Sequence, residues 1–385
     1  MKINFIAFAP TSEERKAWSG TVYSIYKALE RIENVEMSYI SCATKTPFWH
    51  DWISKFFNIW RFLGLTNKHY VYTNSFLYKR HLAKILREKT NIGDCDAIVV
   101  VAYSVIVAAL PNIEKPIIYF TDATYSALEN YYPEVSDLFR FSSEQANAIC
   151  KTAYERSAAV VVSSQWAKQH AIDDYGISPE KIHVIEFGAN LESDELGNFR
   201  RDYSQKSHYE ILLSGVNWRR KGGDVAVECC RQLVARGINL TLNIVGMAVP
   251  QQYKGLGFIK EHGFFNKNDS KQYKQYLRLL EGSDIFLFPT KAECLGIVTC
   301  EASGYGIPIF TYDTGGLSNY VINGVNGFRL NTNSNGEDFA KCIYNSIEER
   351  KLGVLSEGGL RLYKERLNWY VYSHKVYQLL KSLAC

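Results

Sequence analysis

Short apolar runs alternate with amphipathic segments along nearly the whole chain. The runs are continuous rather than alternating in polarity, which is typical of strands buried on both faces of a parallel sheet. We predict strands at residues 3–8, 35–41, 97–102, 117–121, 159–163, 183–187, 211–214, 240–245, 285–289 and 308–313. Between the strands, apolar positions recur at helical spacing, as in Val22, Ile25 and Leu29. Strands that alternate with helices predict an α/β protein built from doubly wound sheets.

The chain is long enough for two domains, each with a core of its own. It has 385 residues, whereas single hydrophobic cores stop growing at roughly 250–300 residues. Residues 191–208 are polar and charged without a clear period, which makes them the best candidate for a linker. We therefore predict an N-terminal domain at 1–190 and a C-terminal domain at 209–368.

Composition argues against several classes of protein. The formal net charge is +4, too small to indicate a partner such as nucleic acid. The nine cysteines are odd in number and lack C-x-x-C spacing, which argues against a disulfide framework and against a zinc site. Free cysteines fit a reducing, cytoplasmic location. No apolar run approaches the length of a membrane span.

Residues 46–89 combine aromatic with basic side chains. Trp49, Trp52, Phe56 and Trp60 fall mostly on one side of a predicted helix. From residue 40 to 90 the chain has nine basic residues and two acidic ones, a local net charge of +7. Interfacial helices on anionic membranes have this composition, which would give the protein a peripheral position at the inner membrane face. A helix packed on the sheet, with its tryptophans in the core, accounts for the pattern equally well.

The candidate chemistry is concentrated after the predicted strand at 285–289. The strand is followed by a turn with Glu293, then by Gly296, and then by a helical segment that contains Glu301. Such turns lie at the carboxyl ends of parallel strands, which is where open α/β sheets bind ligands. The order of strand, acidic turn, helix start and acid on the helix therefore predicts a ligand site.

The start of this helix suits a diphosphate. The backbone N–H groups of Leu295, Gly296 and Ile297 are expected to lack intrahelical partners and to lie at the positive end of the helix dipole. Gly296 allows the backbone to approach an anion closely. For either Glu293 or Glu301 taken alone, a solvated acid is the favoured interpretation. The two together in this strand–turn–helix frame favour a function.

The pattern resembles a known signature. Glu293 and Glu301 have seven residues between them, and the pair Gly315-Gly316 follows downstream. This is similar to the E-x7-E signature of the retaining glycosyltransferases of family 4, which have the GT-B fold. The resemblance implies two doubly wound, Rossmann-like domains that face each other across a cleft. It also implies that the last helix, 369–385, packs back on the first domain.

The resemblance assigns roles in donor binding. Lys221 matches the lysine that binds the donor diphosphate, together with the helix amides. A neighbouring arginine would supply a second charge, and of Arg219 and Arg220 we take Arg220 as the candidate. Glu301 would accept hydrogen bonds from the ribose. Glu293 would orient the hydroxyls of the donor sugar without acting as a nucleophile.

Two candidates lie in the first domain. Gly20 ends the loop after the first strand, where the family carries a glycine motif that lines the cleft below the donor phosphates. Asp122 follows the strand at 117–121, at a point where many family members have a histidine. We expect Asp122 to bind an acceptor hydroxyl or to accept its proton. A role as the N-cap of the next helix is the alternative.

The implied activity is the transfer of a sugar from a UDP-, GDP- or ADP-linked donor, with retention at the anomeric carbon. The acceptor is a glycan, a lipid-linked molecule or a small molecule, and the enzyme is of hexosyltransferase type (EC 2.4). Because Lys221 would neutralise the leaving diphosphate, we expect no metal and no other cofactor. A non-catalytic, membrane-associated nucleotide-sugar-binding protein and a GT-B-fold epimerase remain as alternatives. A dehydrogenase is disfavoured, since no G-x-G-x-x-G follows the first strand.

Overall fold

The structure, a computed structural model, describes residues 1–43, 48–89, 91–192 and 196–384. They divide into two units. Unit 1 consists of Met1–Ile185 and Ser373–Cys385, and unit 2 of Glu186–Tyr372. Each unit contains one six-stranded sheet in which every pair of neighbouring strands is parallel. The α/β class and the doubly wound sheets predicted from the sequence are therefore confirmed.

The sheet of unit 1 has the strand order β2-β1-β3-β4-β5-β6. Its strands are β1 (Lys2–Ala7), β2 (Glu36–Ser41), β3 (Ala97–Val101), β4 (Ile117–Thr121), β5 (Ala159–Val162) and β6 (Ile182–Val184). Its α-helices are α1 (Thr21–Glu30), α2 (Phe48–Phe62), α3 (Phe76–Arg87), α4 (Ser104–Ala109), α5 (Tyr125–Leu128), α6 (Arg140–Arg156) and α7 (Gln165–Tyr175). Short 3-10 helices lie at Ala17–Gly20, Tyr72–Asn74, Pro133–Val135 and Pro179–Lys181.

The sheet of unit 2 has the order β12-β11-β10-β7-β8-β9. Its strands are β7 (Tyr209–Ser214), β8 (Leu240–Val245), β9 (Ile259–Gly263), β10 (Ile285–Phe288), β11 (Ile309–Tyr312) and β12 (Gly327–Leu330). Its α-helices are α8 (Gly223–Ala235), α9 (Ser270–Gly282), α10 (Ile297–Gly304), α11 (Gly336–Glu348) and α12 (Leu352–Glu365), with 3-10 helices at Gln251–Tyr253 and Gly315–Asn319. The last helix, α13 (Trp369–Ala384), begins in unit 2, and its part from Ser373 onwards groups with unit 1.

The polarity of each strand follows its place in the sheet. Every residue of the central strands β3, β4, β10 and β11 is buried, as their continuous apolar sequences predict. The edge strand β9 has the sequence IKEHG and is half-buried or exposed throughout. Neither β9 nor the other edge strand, β12, is predicted from the sequence, because their residues lack an apolar run.

The position at which the chain passes from unit 1 to unit 2 differs from the predicted linker at 191–208. The boundary between the units falls between Ile185 and Glu186. Within the predicted linker, Arg201 donates hydrogen bonds to three carbonyl oxygens of unit 2, those of Leu280, Glu281 and Tyr305. A charged residue that satisfies three carbonyls packs firmly even though its sequence shows no periodicity. Residues 193–195 of the predicted linker lie outside the described residues.

Region 46–89 forms α2 and α3, apart from residues 46 and 47, which lie outside the described residues. Helix α2 has two different sides. Ile53 and Phe57 pack against the core of unit 1, whereas Trp52 and Phe62 are 74% and 90% exposed. A helix packed on the unit is therefore confirmed for Ile53 and Phe57, but Trp52 and Trp60 do not lie in the core, as that interpretation expected. Binding of the exposed aromatic side to a membrane stays a prediction. No helix among the described residues is long and apolar enough to cross a membrane.

Candidate functional site

The turn between β7 and α8 holds Lys221 in a buried position. Lys221 is 7% exposed, and its ammonium lies 4.4 Å from the centre of the Phe288 ring. Its stem packs on Gly215, where a Cβ atom would come within 2.6 Å of Lys221 Cγ. Gly222 follows with a φ of 70° and caps α8, and a Cβ there would lie 2.0 Å from the carbonyl oxygen of Pro289. The two glycines therefore allow a lysine to lie deep between two strand ends.

Lys221 and Arg220 converge on the carboxylate of Glu293. Lys221 Nζ donates to Glu293 Oε2, and Arg220 Nη1 lies 3.4 Å from the same oxygen. Arg220 also donates to the carbonyl of Ala292 at 3.0 Å. Burial lowers the pKa of Lys221, and the Glu293 carboxylate opposes this effect. Of the two arginines that the sequence left open, Arg220 is thus the one whose guanidinium reaches the turn after β10.

The start of α10 adds backbone donors to the same place. Gly296 caps the helix with a φ of 71°, and its N–H donates to Glu293 Oε1 at 3.3 Å. Among the described residues, no acceptor contacts the N–H groups of Leu295 and Ile297, as the sequence predicts for a helix start. One carboxylate therefore receives a lysine, an arginine and a helix-start amide. That set of donors forms an anion-binding site.

Glu301 lies inside α10 and is fully buried. Its two oxygens have separate partners: Lys267 Nζ donates to Oε1 and the Tyr276 hydroxyl to Oε2, both at 2.7 Å. Lys267 itself remains one-third exposed. Burial, and next to it the Glu301 carboxylate, holds the pKa of Tyr276 well above its usual range, so this hydroxyl keeps its proton.

An aromatic pair follows β9. Phe264 is 70% exposed, whereas Phe265 lies half-buried against the ring of Tyr276. The two rings therefore differ: Phe265 contributes to the core beside Tyr276, and Phe264 offers a free face on which a planar group can stack.

In unit 1 the loop after β1 ends in a rare backbone conformation. Trp18, Ser19 and Gly20 have φ values of 48°, 57° and 88° in succession. Only glycine adopts this left-handed region without strain, and such strain concentrates at functional sites. Gly20 caps α1 and is buried. The sequence prediction thus singled out one of three unusual residues and missed Trp18.

Asp122 lies at the carboxyl end of β4 and is half-buried. The indole Nε1–H of Trp18 donates to Asp122 Oδ2 at 3.2 Å, which joins the loops after β1 and β4. The cap of α5 is a different residue: Thr124 accepts the hydrogen bond from the Ala127 N–H. The alternative role of Asp122 as a helix cap is therefore wrong.

The chain contains one Asp-x-Asp triplet, Asp94-Cys95-Asp96. It precedes β3, at the amino edge of the sheet of unit 1. Asp94 forms an ion pair with the side chain of Lys2, and Asp96 accepts from the Lys2 backbone N–H. The triplet therefore holds β1 in the sheet, at the edge opposite to Asp122.

Three functional candidates were missed by the sequence analysis: Trp18, Lys267 and Tyr276. Lys267 lies in the loop before α9, and Tyr276 lies on the buried face of α9. Both residues precede the E-x7-E motif, which begins at Glu293. Only the folded structure brings them to Glu301. A tryptophan directly before Ser19-Gly20 was the one local signal available for Trp18.

Two parallel α/β units, one of which carries a cluster of hydrogen-bond donors at the turn after β10, have the architecture of the GT-B fold. Two family models match the chain: Glycosyltransferase Family 4 at residues 21–193, and Glycosyl transferases group 1 at residues 198–354. Together they span most of the sequence. The chain belongs to the group 1 glycosyltransferases, of the family 4 type.

Curated relatives agree with this assignment. The chain is 24% identical over 287 residues to the lipopolysaccharide glucosyltransferase WaaG of Escherichia coli (strain K12), which covers 69% of this chain and 72% of WaaG. It is 26% identical over 233 residues to a D-inositol 3-phosphate glycosyltransferase of Corynebacterium glutamicum (strain R), 56% and 54% of the two chains. An uncharacterized 41.2 kDa protein in the cps region of Klebsiella pneumoniae is 25% identical over 182 residues, 46% and 49% of the two chains. The match thus spans about half the length of two of these three relatives.

Solved structures show the fold. Anabaena HepE in complex with UDP and glucose superposes with a TM-score of 0.63 at 16% identity, over 100% of both chains. The glycosyltransferase WaaG gives 0.61 at 15% identity, over 98% of this chain and 99% of that one. A sucrose-phosphate synthase from Thermosynechococcus elongatus gives 0.66 at 15% identity, over 99% and 98%. These likenesses establish the two-domain GT-B fold that the resemblance implied.

Proposed function

We propose that the chain transfers a sugar from a nucleoside diphosphate sugar to an acceptor hydroxyl, with retention at the anomeric carbon and without a metal ion. The observation that carries the proposal is the convergence of Lys221, Arg220 and the Gly296 N–H on one carboxylate. Donors arranged to hold one anion in a water-poor turn are suited to hold the charge that develops on a leaving diphosphate. Anabaena HepE, a structural relative, has been solved in complex with UDP and in complex with UDP-glucose, which supports UDP as the first nucleotide to test.

In the proposed reaction the bond between the anomeric carbon and the diphosphate oxygen breaks. The bond to the acceptor oxygen forms on the same face of the sugar. The leaving phosphate oxygen takes the proton of the acceptor hydroxyl, so no covalent intermediate on the enzyme is required. Lys221 and Arg220 stabilise the leaving group, which is the role that a divalent cation fills in other transferases. This route differs from glycoside hydrolysis, in which a pair of carboxylates supplies nucleophile and acid.

Glu301 is proposed to hold the nucleoside. Its buried carboxylate accepts from Lys267, whose side chain is partly exposed, so Lys267 is the group that gives way when ribose hydroxyls approach Oε1. Tyr276 keeps Oε2 in place during that exchange. The exposed ring of Phe264 supports a further role in stacking against the base.

The acceptor is proposed to react at unit 1, where Asp122 lies beside the strained loop after β1. Trp18 Nε1 donates to one carboxylate oxygen of Asp122 and thereby restricts the orientation of the carboxylate. We propose that Asp122 binds the acceptor hydroxyl. Orientation by a second residue is the usual requirement for such a group.

Helices α2 and α3 support a lipid-linked acceptor. A pocket of about 540 Å³ lies between them and the start of α6, lined among others by Ile53, Phe57, Phe76 and Arg80. Trp52 and other aromatic residues of the same helix α2 are exposed to solvent, in a region with a local net charge of +7. An apolar pocket with an arginine, next to exposed aromatic and basic side chains, suits a lipid phosphate at an anionic membrane surface. We therefore propose a peripheral position of unit 1 on such a surface.

Calorimetric titration with UDP, GDP and ADP in the presence of EDTA tests the proposal. We expect one of the three to bind with a dissociation constant in the micromolar range, and Lys221→Met to abolish binding while the protein stays folded. Lys254→Met, at an exposed lysine of unit 2, is the matched control and is expected to bind as the wild type does. Absence of binding for all three nucleotides with folded protein would overturn the donor site. Binding that depends on added metal would overturn the metal-free route.

A further inference from the structure

Glu293 occupies the donors that the leaving diphosphate is proposed to use. Its Oε2 accepts from Lys221 and lies 3.4 Å from Arg220 Nη1, and its Oε1 accepts from the Gly296 N–H. The same three groups are the proposed diphosphate ligands. A carboxylate and a phosphoryl group both need close contact with the lysine, and two anions side by side on one ammonium in a buried turn repel each other.

Glu293, rather than Lys221, is the partner that can move. The stem of Lys221 is confined by Gly215 and its ammonium lies over the Phe288 ring, so it has little freedom to leave. Arg220 is tied to the Ala292 carbonyl, and its own carbonyl accepts from the Lys291 N–H. The side chain of Glu293 stands on a turn and is 14% exposed, against 8% for that of Lys221. Rotation about its own side-chain bonds is enough to release the lysine.

We propose that Glu293 competes with the diphosphate for Lys221 and thereby sets the preference of the site for sugar nucleotide over free nucleoside diphosphate. This inference rests on the proposed function. A sugar nucleotide displaces the Glu293 carboxylate from Lys221 and offers it sugar hydroxyls as new donors. A free nucleoside diphosphate also displaces the Glu293 carboxylate from Lys221, but it has no sugar hydroxyls to donate to that carboxylate.

Charge repulsion further favours the sugar nucleotide over the free nucleoside diphosphate. The terminal phosphate of a free nucleoside diphosphate carries more negative charge than the same phosphate esterified to a sugar. A displaced carboxylate nearby repels that extra charge inside a turn with little water. Once the sugar has been transferred, Glu293 therefore returns to Lys221 and favours release of the product. The residue becomes a determinant of both donor selection and product release.

The test compares UDP with UDP-glucose, UDP-galactose and UDP-N-acetylglucosamine by calorimetry, using wild type and Glu293→Gln. Glutamine keeps the shape of the side chain and removes its charge. We expect UDP to bind about tenfold more tightly to the variant, the effect of freeing one charge-assisted hydrogen bond. The affinity for the sugar nucleotide that binds most tightly is expected to change by less than about threefold. The loss of competition by Glu293 and the loss of its contacts to the sugar offset each other. UDP dissociation measured by stopped flow is expected to slow by the same factor as the affinity rises.

A matched control is Glu228→Gln on α8, an acid of the same unit that is ion-paired with Arg231. This variant is expected to bind UDP and the sugar nucleotides within about twofold of wild type, because the loss of one exposed charge has only a small effect. If UDP binds wild type and Glu293→Gln with equal affinity, the competition is excluded while the donor site stands. If neither form binds any nucleotide, the proposed function itself fails.

Wild-type protein gives an independent readout should the variant fold poorly. Competition by Glu293 predicts that the best sugar nucleotide binds wild type at least as tightly as UDP does. If UDP binds wild type tenfold more tightly than every sugar nucleotide, the proposal is overturned without recourse to a variant. Thermal unfolding and circular dichroism of Glu293→Gln decide which of the two readouts applies.

Discussion

Lys267 Nζ donates to Oε1 of Glu301 at 2.7 Å, and this ion pair joins a loop residue to an acid that has no exposed surface. Glu293, the other acid of the E-x7-E signature, forms an ion pair with Lys221. Both acids of the E-x7-E pair are thus held by lysines from other parts of unit 2. The two pairs differ in burial, since Lys221 is buried and Lys267 is one-third exposed.

We expect Glu301→Gln to weaken nucleotide binding about tenfold, because a charge-assisted hydrogen bond to the ribose is lost. Calorimetry with the nucleotide that binds wild type measures the effect. Tyr276→Phe leaves the carboxylate but removes the hydroxyl that holds Oε2, so it is expected to lower Tm and to weaken binding less than Glu301→Gln does. Glu357→Gln, at an exposed acid of α12, is the control and is expected to keep the affinity within about twofold of wild type. Equal nucleotide affinity in wild type and Glu301→Gln would remove Glu301 from the ribose site.

Asp122→Asn is expected to lower the turnover number by about tenfold to a hundredfold and to leave the nucleotide dissociation constant unchanged, since Asp122 is placed on the acceptor side. Trp18→Phe keeps the ring and removes the donor to Asp122, and we expect a smaller loss of about threefold to tenfold. Initial rates at varied acceptor concentration give the turnover number, and calorimetry gives the nucleotide dissociation constant. Asp174→Asn, at a half-exposed acid of unit 1 that is bonded to His170, serves as control. Full activity of Asp122→Asn would exclude it from the reaction.

The fold was predictable from the sequence to a large extent, and the site only in part. Continuous apolar runs revealed the buried strands, because central strands of a parallel sheet must be apolar on both faces. The edge strands β9 and β12 escaped because solvent-facing strands need no such run. Glu293 and Gly296 were visible because they stand in one local motif. Lys267 reaches Glu301 across 34 positions in sequence, and that contact depends on a loop whose course no local pattern fixes.

Gly222→Ala is expected to destabilise unit 2 by about 2 kcal/mol or more, because an alanine at positive φ is strained and its Cβ would meet the Pro289 carbonyl oxygen. The same change displaces Lys221 and is expected to weaken nucleotide binding. Gly282→Ala provides the matched control, because a Cβ at Gly282 meets nothing within 4 Å. Urea unfolding followed by tryptophan fluorescence compares the two. An unfolding midpoint of Gly222→Ala equal to that of wild type would contradict the assigned contact.

Nucleotide affinity is expected to fall with rising pH, and to do so at a lower pH than the ordinary lysine pKa of 10.5. Burial lowers the pKa of Lys221 from the ordinary lysine value of 10.5, so its ammonium loses its proton at a lower pH than an exposed lysine does. Only the protonated form binds a diphosphate strongly, so affinity is present below the lowered pKa and is lost as the pH rises through it. The Glu293 carboxylate supports the charge, so Glu293→Gln is expected to move the loss to lower pH. Titrations between pH 7 and 10 measure both profiles, and a flat wild-type profile would contradict the role of Lys221.

Vesicle co-sedimentation tests the exposed aromatic side of α2. We expect wild type to bind vesicles that contain anionic lipid and to dissociate at high salt, since basic residues near a membrane surface each contribute about 1 kcal/mol. Trp52→Ser and Trp60→Ser, at residues 74% and 56% exposed, are each expected to weaken binding severalfold, because an exposed indole inserts into the interface. Val354→Ser, at an exposed apolar residue of unit 2, is the control and is expected to bind as wild type does. Equal binding to neutral vesicles, or no effect of the tryptophan substitutions, would argue that the aromatic side of α2 meets a different partner.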